Sequence, residues 1–398
     1  MTMHVFIVDA RTFKIHLEHL FVGTGSTSLD KYHIHFRDGW ISPLRPGSGS
    51  RPVRKNESNA VSMIADAGRV RRGDQIVFYL KQNLRQGIGE GKFFGIFEAA
   101  QDGFFFDDNG EGQHLRDELG KSLTFRALIE PQKVYAGGVT EWEALDEIRN
   151  IRSPNQMLWS LIYRKLKGNR GNTMVTICEA ERLAQLIRDK NGREELSCGN
   201  RMLSFDMESQ RVLCLDEERK PYGGRRGTLD LLPRMIEKNK AGQVFEAHLQ
   251  AYITRHIGTG FNRSLDDVLL GGAEAEWFGN EVSCGVGMQR IDVMVSAVKD
   301  GQRAIVPIEL KAVGAEVWNV GQIQRYVNWV VQYYTPNRPS DIQPVLLTKR
   351  GRRRIGERPD LVAAFGAFNA NNKGDCLPLR YIEFNLDDDA LSFEEVSY

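Results

Sequence analysis

The spacing of apolar positions changes along the chain, and those changes mark out its elements. Residues 1–190 begin with an apolar run, HVFIV, that reads as a strand. A loop rich in Gly, Ser and Pro follows at Ser42–Pro52. RRGDQIVFYLKQ then reads as a turn into a strand, GKFFGIFEAA as a second and SLTFRALIEPQKVY as a third, each rich in β-branched or aromatic residues and bounded by Gly or Asp. NQMLWSLIYRKL changes to helical spacing. Thr176 and Glu179 form a capping box that opens ERLAQLIRDKN, which stops at Asn191-Gly192. Strands followed by helices predict a small β-barrel with helices packed on it.

Residues 191–235 read as a connector. NRMLSFDMESQRVLCLDE alternates about Glu208-Ser209 as a hairpin does, and KPYGGRRGTLDLLP has the composition of a linker. Residues 236–398 return to regular patterning. IEKNKAGQVFEAHLQAYITRHI reads as one amphipathic helix. VGMQRIDVMVSAV and RAIVPIELKAV read as strands joined at Lys299-Asp300-Gly301, VGQIQRYVNWVVQYY as a helix and IQPVLLTKR as a further strand. This order predicts a mixed sheet flanked by helices. The expected class is therefore a multidomain α+β or α/β protein.

Composition narrows the picture only slightly. A chain of 398 residues exceeds one ordinary core, which predicts more than one domain. At 41% hydrophobic and 26% charged, it has a globular composition. No apolar run approaches the roughly 18–20 residues of a membrane span, so no membrane partner is expected. The N-terminus lacks a basic segment leading into an apolar one, so no signal peptide is expected. Five cysteines, odd in number and with no CxxC pair, predict a reducing, cytoplasmic setting without a disulfide framework or structural zinc. No G-x-x-x-x-G-K-[ST] loop is present, so no NTP-driven motor is expected.

The net charge of +1 hides a segregated distribution. Basic clusters stand at Arg69–Arg72, Arg164–Arg170, Arg219–Arg226 and Lys349–Arg354, while acidic residues gather in FDDNGE and NLDDDALSFEE. Segregated charge of this kind can present a basic face to phosphates.

The chemistry concentrates in one hairpin. Glu309 and Lys311 are two apart on a strand and so share a face, with Leu310 directed to the core. Asp292 lies at the polar end of the preceding strand, and the hairpin brings it alongside. Two carboxylates and a lysine suit phosphodiester hydrolysis, which needs a held metal, an attacking water and a cation near the developing charge. The same E-x-K spacing occurs at Glu90/Lys92 and Glu218/Lys220, but there it falls in polar turns. Only Glu309/Lys311 follows an apolar run. Pro307 is the one discordant residue, because it removes a ladder donor.

On the next predicted helix, Gln322 and Tyr326 share a face, and Glu246 lies on the helix before the hairpin. The ordered set Glu246, Arg290-Ile-Asp292, Glu309-Leu-Lys311 and Gln322-xxx-Tyr326 resembles the RecB-like branch of the PD-(D/E)XK nucleases, in its NucS-type form. The resemblance spans roughly residues 240–390. It implies a restriction-endonuclease-like domain with Asp292 and Glu309 as ligands of Mg²⁺ or Mn²⁺, and with Lys311 catalytic. Gln322 and Tyr326 would support the site, and Glu246 would be an auxiliary acid for which Glu274, Glu276 and Glu281 are alternatives.

The first 190 residues, through RRGDQIVFYLKQ and GKFFGIFEAA, resemble EVE/YTH-like domains of the PUA superfamily, which read modified bases. That resemblance implies an aromatic cage for a flipped base, with Trp40, Tyr79 and Trp159 as candidates. Phosphate contacts are expected from Arg164, Lys165, Lys167 and Arg170, and in the second domain from Arg290, Lys349, Arg350, Arg352 and Arg353. Together these features predict a modification-dependent, type IV-like DNA endonuclease acting on double-stranded DNA as a homodimer. A NucS-like mismatch- or structure-specific repair endonuclease and a non-catalytic nucleic-acid-binding protein are the alternatives.

Overall fold

The computed structural model describes residues 2–25, 35–37, 40–42, 52–107, 112–158, 161–162, 166, 171–284, 289–334 and 338–398. They fall into two compact units, residues 1–229 and 230–398. Both mix helices with sheets. Among the described residues, no helix is long and apolar enough to cross a membrane.

Among the described residues, the first unit begins with the strands β1 (Met3–Val8), β2 (Phe21–Thr24), β3 (His35–Arg37), β4 (Trp40–Ser42), β5 (Gln75–Leu80), β6 (Lys92–Ala99), β7 (Phe105–Phe106), β8 (Phe125–Pro131), β9 (Val139–Thr140) and β10 (Asn172–Val175). The main sheet runs β10-β1-β5-β6-β8-β2, with β7 against β8 and β9 against β6. Only the β1–β5 pair is parallel within it. β8 turns a corner. Its Ile129–Pro131 end pairs with β6, and its Phe125–Leu128 end pairs with β2 and β7. The sheet thus curls as a half-barrel with β10 and β2 as its ends, where a small β-barrel was expected. The ends approach closely at Gly171, where a Cβ would stand 2.9 Å from Thr24 Cγ2.

Apolar side chains fill both faces of this sheet, which explains the uninterrupted run in β5. Phe6, Val8, Ile76, Phe78, Leu80 and Phe94 belong to one core. Val5, Val77, Tyr79, Phe93 and Ile96 belong to the other, with Leu161, Ile162, Leu183 and Ile187 from the helical segments. The Ile177–Lys190 helix begins at the predicted Thr176–Glu179 capping box. Among the described residues, this unit's two longest helices without a counterpart in the periodicity are Ala10–His19 and Pro52–Gly68. Ala10–His19 is capped by Asp9, whose side chain accepts from Thr12 N, and Pro52–Gly68 begins at a proline.

The segment expected to be a connector is largely built into this unit. Strands β11 (Arg201–Asp206) and β12 (Arg211–Glu218) form the predicted hairpin about Glu208-Ser209. Its Leu203, Phe205 and Val212 complete the core over the Ala10–His19 helix. Tyr222, in the stretch read as linker, packs on Phe21 and accepts from the buried Arg126 guanidinium. A disulfide joins Cys198 to Cys214, with Cα atoms 5.6 Å apart. This corrects the expectation of unpaired cysteines. Spacing along the chain could not reveal the pair, because the hairpin register creates it.

The second unit opens with helices Leu232–Lys240, Glu246–His256 and Arg263–Leu270. The single long helix expected here is broken at Gly242, whose φ of +63° lies in the left-handed region. One sheet follows in the order β13 (Glu274–Ser283), β14 (Arg290–Lys299), β15 (Gln302–Lys311), β16 (Val345–Lys349), β17 (Arg380–Leu386) and β18 (Leu391–Glu395). β15, β16 and β17 are parallel, and the flanking pairs are antiparallel. The helices Val317–Tyr333 and Pro359–Asn371 make the parallel crossovers. The β14–β15 turn is Asp300-Gly301, both with positive φ, between the paired Lys299 and Gln302. This is the two-residue hairpin that an Asp-Gly pair favours. Pro307 faces Met294 on β14 just before the β15–β16 ladder starts at Ile308–Val345.

Candidate active site

The β14–β15 ladder ends at the Val293–Ile308 pair. One residue further, Asp292 and Glu309 stand together where the strands meet the flanking helices. The Leu310 backbone N–H donates to Asp292 Oδ2 at 2.9 Å, which fixes that carboxylate against the neighbouring strand. The Gln250 side chain, from the Glu246–His256 helix, donates to the Asp292 carbonyl at 2.8 Å. Ile308 and Leu310 point into the core, so Glu309 and Lys311 emerge on the opposite face.

Glu309 is 0% exposed. Burying a carboxylate so completely is costly unless it is paired. Lys311 Nζ lies 2.5 Å from Glu309 Oε1 and 3.6 Å from Glu246 Oε1, and it donates to the Leu310 carbonyl at 2.9 Å. Tyr326 Oη lies 2.5 Å from Glu309 Oε2 and 2.8 Å from the Arg290 carbonyl, linking the Val317–Tyr333 helix to both strands. The five residues Glu246, Asp292, Glu309, Lys311 and Tyr326, singled out by motif order, thus share one site. Gln322 sits on the same helix one turn before Tyr326. It accepts from Asn319 Nδ2 at 3.4 Å and so braces the helix start rather than a carboxylate. Two of the three alternative acids are engaged elsewhere: Glu276 pairs with Arg303, and Glu281 with Arg290.

Three carboxylates face one ammonium here, and the electrostatics reflect it. Burial raises the Asp292 carboxyl well above its ordinary value, and the neighbouring Glu309 charge adds to the rise. Burial also raises Glu246, reinforced by Glu309 and opposed by Lys311. For Lys311, burial favours the neutral amine, but the hydrogen bond and charge of Glu309, with Glu246 and Asp292, outweigh it and hold the ammonium above its ordinary range. Tyr326 is raised by burial and by the two nearby carboxylates, so its hydroxyl keeps its proton.

The excess of negative charge is what a divalent cation would relieve. Asp292 and Glu309 supply hard oxygen donors, which suit Mg²⁺ or Mn²⁺. Among the described residues, no group of three or more His, Cys, Asp or Glu is arranged to hold an ion. A cation at Asp292 and Glu309 would therefore complete its shell with water and phosphate oxygens, as Mg²⁺ commonly does.

The surrounding cations differ in availability. Arg290 is tied to Glu281, and Lys349 Nζ donates to Asn239 Oδ1 at 2.5 Å. Arg350 pairs with Glu394 and lies 3.5 Å from Glu383. Arg352 and Arg353 are exposed. Trp318, absent from the motif set, is 60% exposed with its ring 5.7 Å from Lys311 Nζ. A tryptophan in the first turn of the helix, seven residues after Lys311 and beside no other aromatic, was the signal available for it.

In the first unit, Tyr79 is 6% exposed, its ring packs on Phe93 and its hydroxyl donates to Glu141. It is a core residue, and it offers no free ring face to a base. Trp159, Arg164, Lys165, Lys167 and Arg170 lie outside the described residues, as does the side chain of Trp40.

No family model matches the chain, and no curated protein matches it. Among solved structures, the NMR structure of Rpa0253 from Rhodopseudomonas palustris aligns with 49% of this chain and 97% of its own length. The identity is 15% and the TM-score 0.23, a likeness too slight to assign a fold.

Proposed function

We propose that residues 230–398 hydrolyse phosphodiester bonds with a divalent metal, and that the whole chain is a modification-dependent DNA endonuclease of the PD-(D/E)XK type. The observation that carries this reading is the meeting of Asp292, Glu309 and Lys311 at the end of one hairpin, with Glu309 fully buried. A buried acid–base cluster at a strand end is expensive to keep for stability alone and is typical of sites that do chemistry.

Asp292 and Glu309 would hold Mg²⁺ or Mn²⁺, which supplies Lewis-acid polarisation of the phosphate and of a bound water. Lys311 remains protonated in its carboxylate surroundings. It therefore contributes positive charge beside the scissile phosphate, where negative charge grows as the water oxygen bonds to phosphorus and an ester oxygen departs. Tyr326 holds Glu309 in position through its hydroxyl. Glu246, raised by burial, is placed to accept a proton from the attacking water.

The reader assignment of the first unit rests on its resemblance to EVE/YTH-like domains and on a curled sheet with helices around it. A homodimer is the simplest way to cut both strands. The test is incubation of the full chain with Mg²⁺ and matched plasmids, one carrying modified bases. Cleavage of the modified plasmid alone is expected, with Glu309→Ala slower by at least about 10²-fold. Cutting confined to mismatched or branched DNA would point to a repair nuclease instead. No cleavage with any divalent metal would sink the enzymatic reading.

A further inference from the structure

A cleft of about 500 Å³ opens beside this site, within the second unit. Its wall is continuous with the catalytic segments: Phe245 precedes Glu246, and Ala312 follows Lys311. Arg352 and Arg353 line its rim, and among the described residues neither has an ion-pair or hydrogen-bond partner. The floor has the opposite character. Glu383 is largely buried, accepts from Tyr381 Oη at 2.8 Å through Oε1, and lies 3.5 Å from Arg350 Nε through Oε2. Val244 and Val313, both well exposed, add apolar walls.

A cavity with unpaired guanidinium groups at its mouth and a carboxylate at its floor is polarised along its depth. Phosphate is favoured outside and hydrogen-bond donors inside. We propose that the cleft binds one nucleotide of the DNA strand beside the scissile phosphate, with its phosphate on Arg352 and Arg353 and its base on Glu383. This rests on the nuclease reading for its place in the reaction, though the binding itself needs no metal.

The floor also selects among bases. Guanine presents two adjacent donors, N1–H and the N2 amino group, to the two oxygens of one carboxylate. Adenine and cytosine set a ring acceptor beside their single amino group and would face Glu383 with repulsion. A carboxylate oxygen can accept more than one hydrogen bond, so the Tyr381 contact on Oε1 and the Arg350 guanidinium near Oε2 leave room for a base.

The experiment is calorimetric titration of the full chain, without divalent metal, with GMP, AMP, CMP, UMP and inorganic phosphate. GMP is expected to bind at least roughly tenfold tighter than the other nucleotides. Glu383→Gln should erase that preference. Arg352→Ala with Arg353→Ala, at exposed positions where folding is not at stake, should weaken all four nucleotides alike. No nucleotide binding overturns the proposal, and so does equal binding of all nucleotides and free phosphate, which would leave a plain anion site. Plasmid cleavage run in parallel separates the two readings. GMP selectivity without cleavage leaves the cleft standing and removes the nuclease, whereas Glu309-dependent cleavage without selectivity does the reverse.

Discussion

Asp292 illustrates how a residue proposed to hold a metal can carry a cost in stability. Its carboxyl is raised by burial and by Glu309, so the fold favours its protonated form relative to the unfolded chain. Its contribution to stability is therefore full below the ordinary value of 3.8 and is lost as pH rises through the raised folded value. Above that raised value the protein without metal carries an ionised Asp292 carboxylate crowded against Glu309. Asp292→Asn removes that charge and retains an oxygen for the Leu310 N–H. In metal-free buffer the variant is expected to melt above the wild type at pH 8, with the gap closing toward pH 4. Mg²⁺ should raise the wild-type melting temperature and leave the variant unmoved. A variant that melts lower at pH 8 would show that the carboxylates are not in conflict. Stability yielded at a reactive centre is a common pattern.

At the scale of elements, two hairpins set which side chains meet. The Asp300-Gly301 turn fixes the β14–β15 register, and a slip of one residue would send Glu309 and Lys311 into the core and Leu310 outward. The Val317–Tyr333 helix completes the site by returning Tyr326 to Glu309. In the first unit, the β11–β12 hairpin places Cys214 against Cys198 across a sequence separation of 16. Closing a loop of that size in the unfolded chain is worth about 3 kcal/mol in the chain-entropy model. Thiol titration of the denatured, unreduced protein should find three reactive thiols, because two of the five cysteines share the disulfide. Cys198→Ser is expected to lower the unfolding free energy of the first unit by roughly that amount. Five titrating thiols, or an unchanged unfolding curve, would refute the bond's role.

The whole molecule comprises two units with separate cores, so each is expected to fold alone. Residues 230–398 by themselves should hydrolyse DNA with Mg²⁺ and lose any preference for modified DNA. Residues 1–229 should bind DNA without cutting it. Affinity of the full chain should fall as salt rises, because phosphate contacts release counterions. Undiminished preference for modified DNA in the 230–398 fragment would move the reader function out of the first unit.

Much of this was legible along the chain, and what was not has identifiable causes. Local chemistry sufficed for the capping box at Thr176, the Asp300-Gly301 turn, the alternation that sets Glu309 and Lys311 on one face, and the i, i+4 step from Gln322 to Tyr326. Each depends on residues within a turn or two of one another. Strands β13, β17 and β18 were missed, as was the Ala10–His19 helix, because their hydrophobic spacing makes sense only against a partner that the chain supplies from afar. Tyr79 shows the same limit. An aromatic residue in a strand reads alike whether it faces a ligand or a core, and only the packing of Phe93 and the Glu141 acceptor decides. The cleft floored by Glu383 and the Cys198–Cys214 bond belong to this second kind. Sequence determines the periodicities, caps and turns of this protein through short-range sterics and hydrogen bonding. Which carboxylates meet, which cations stay unpaired and which rings are buried depend on long-range contacts, and those exist only once the sheets have formed.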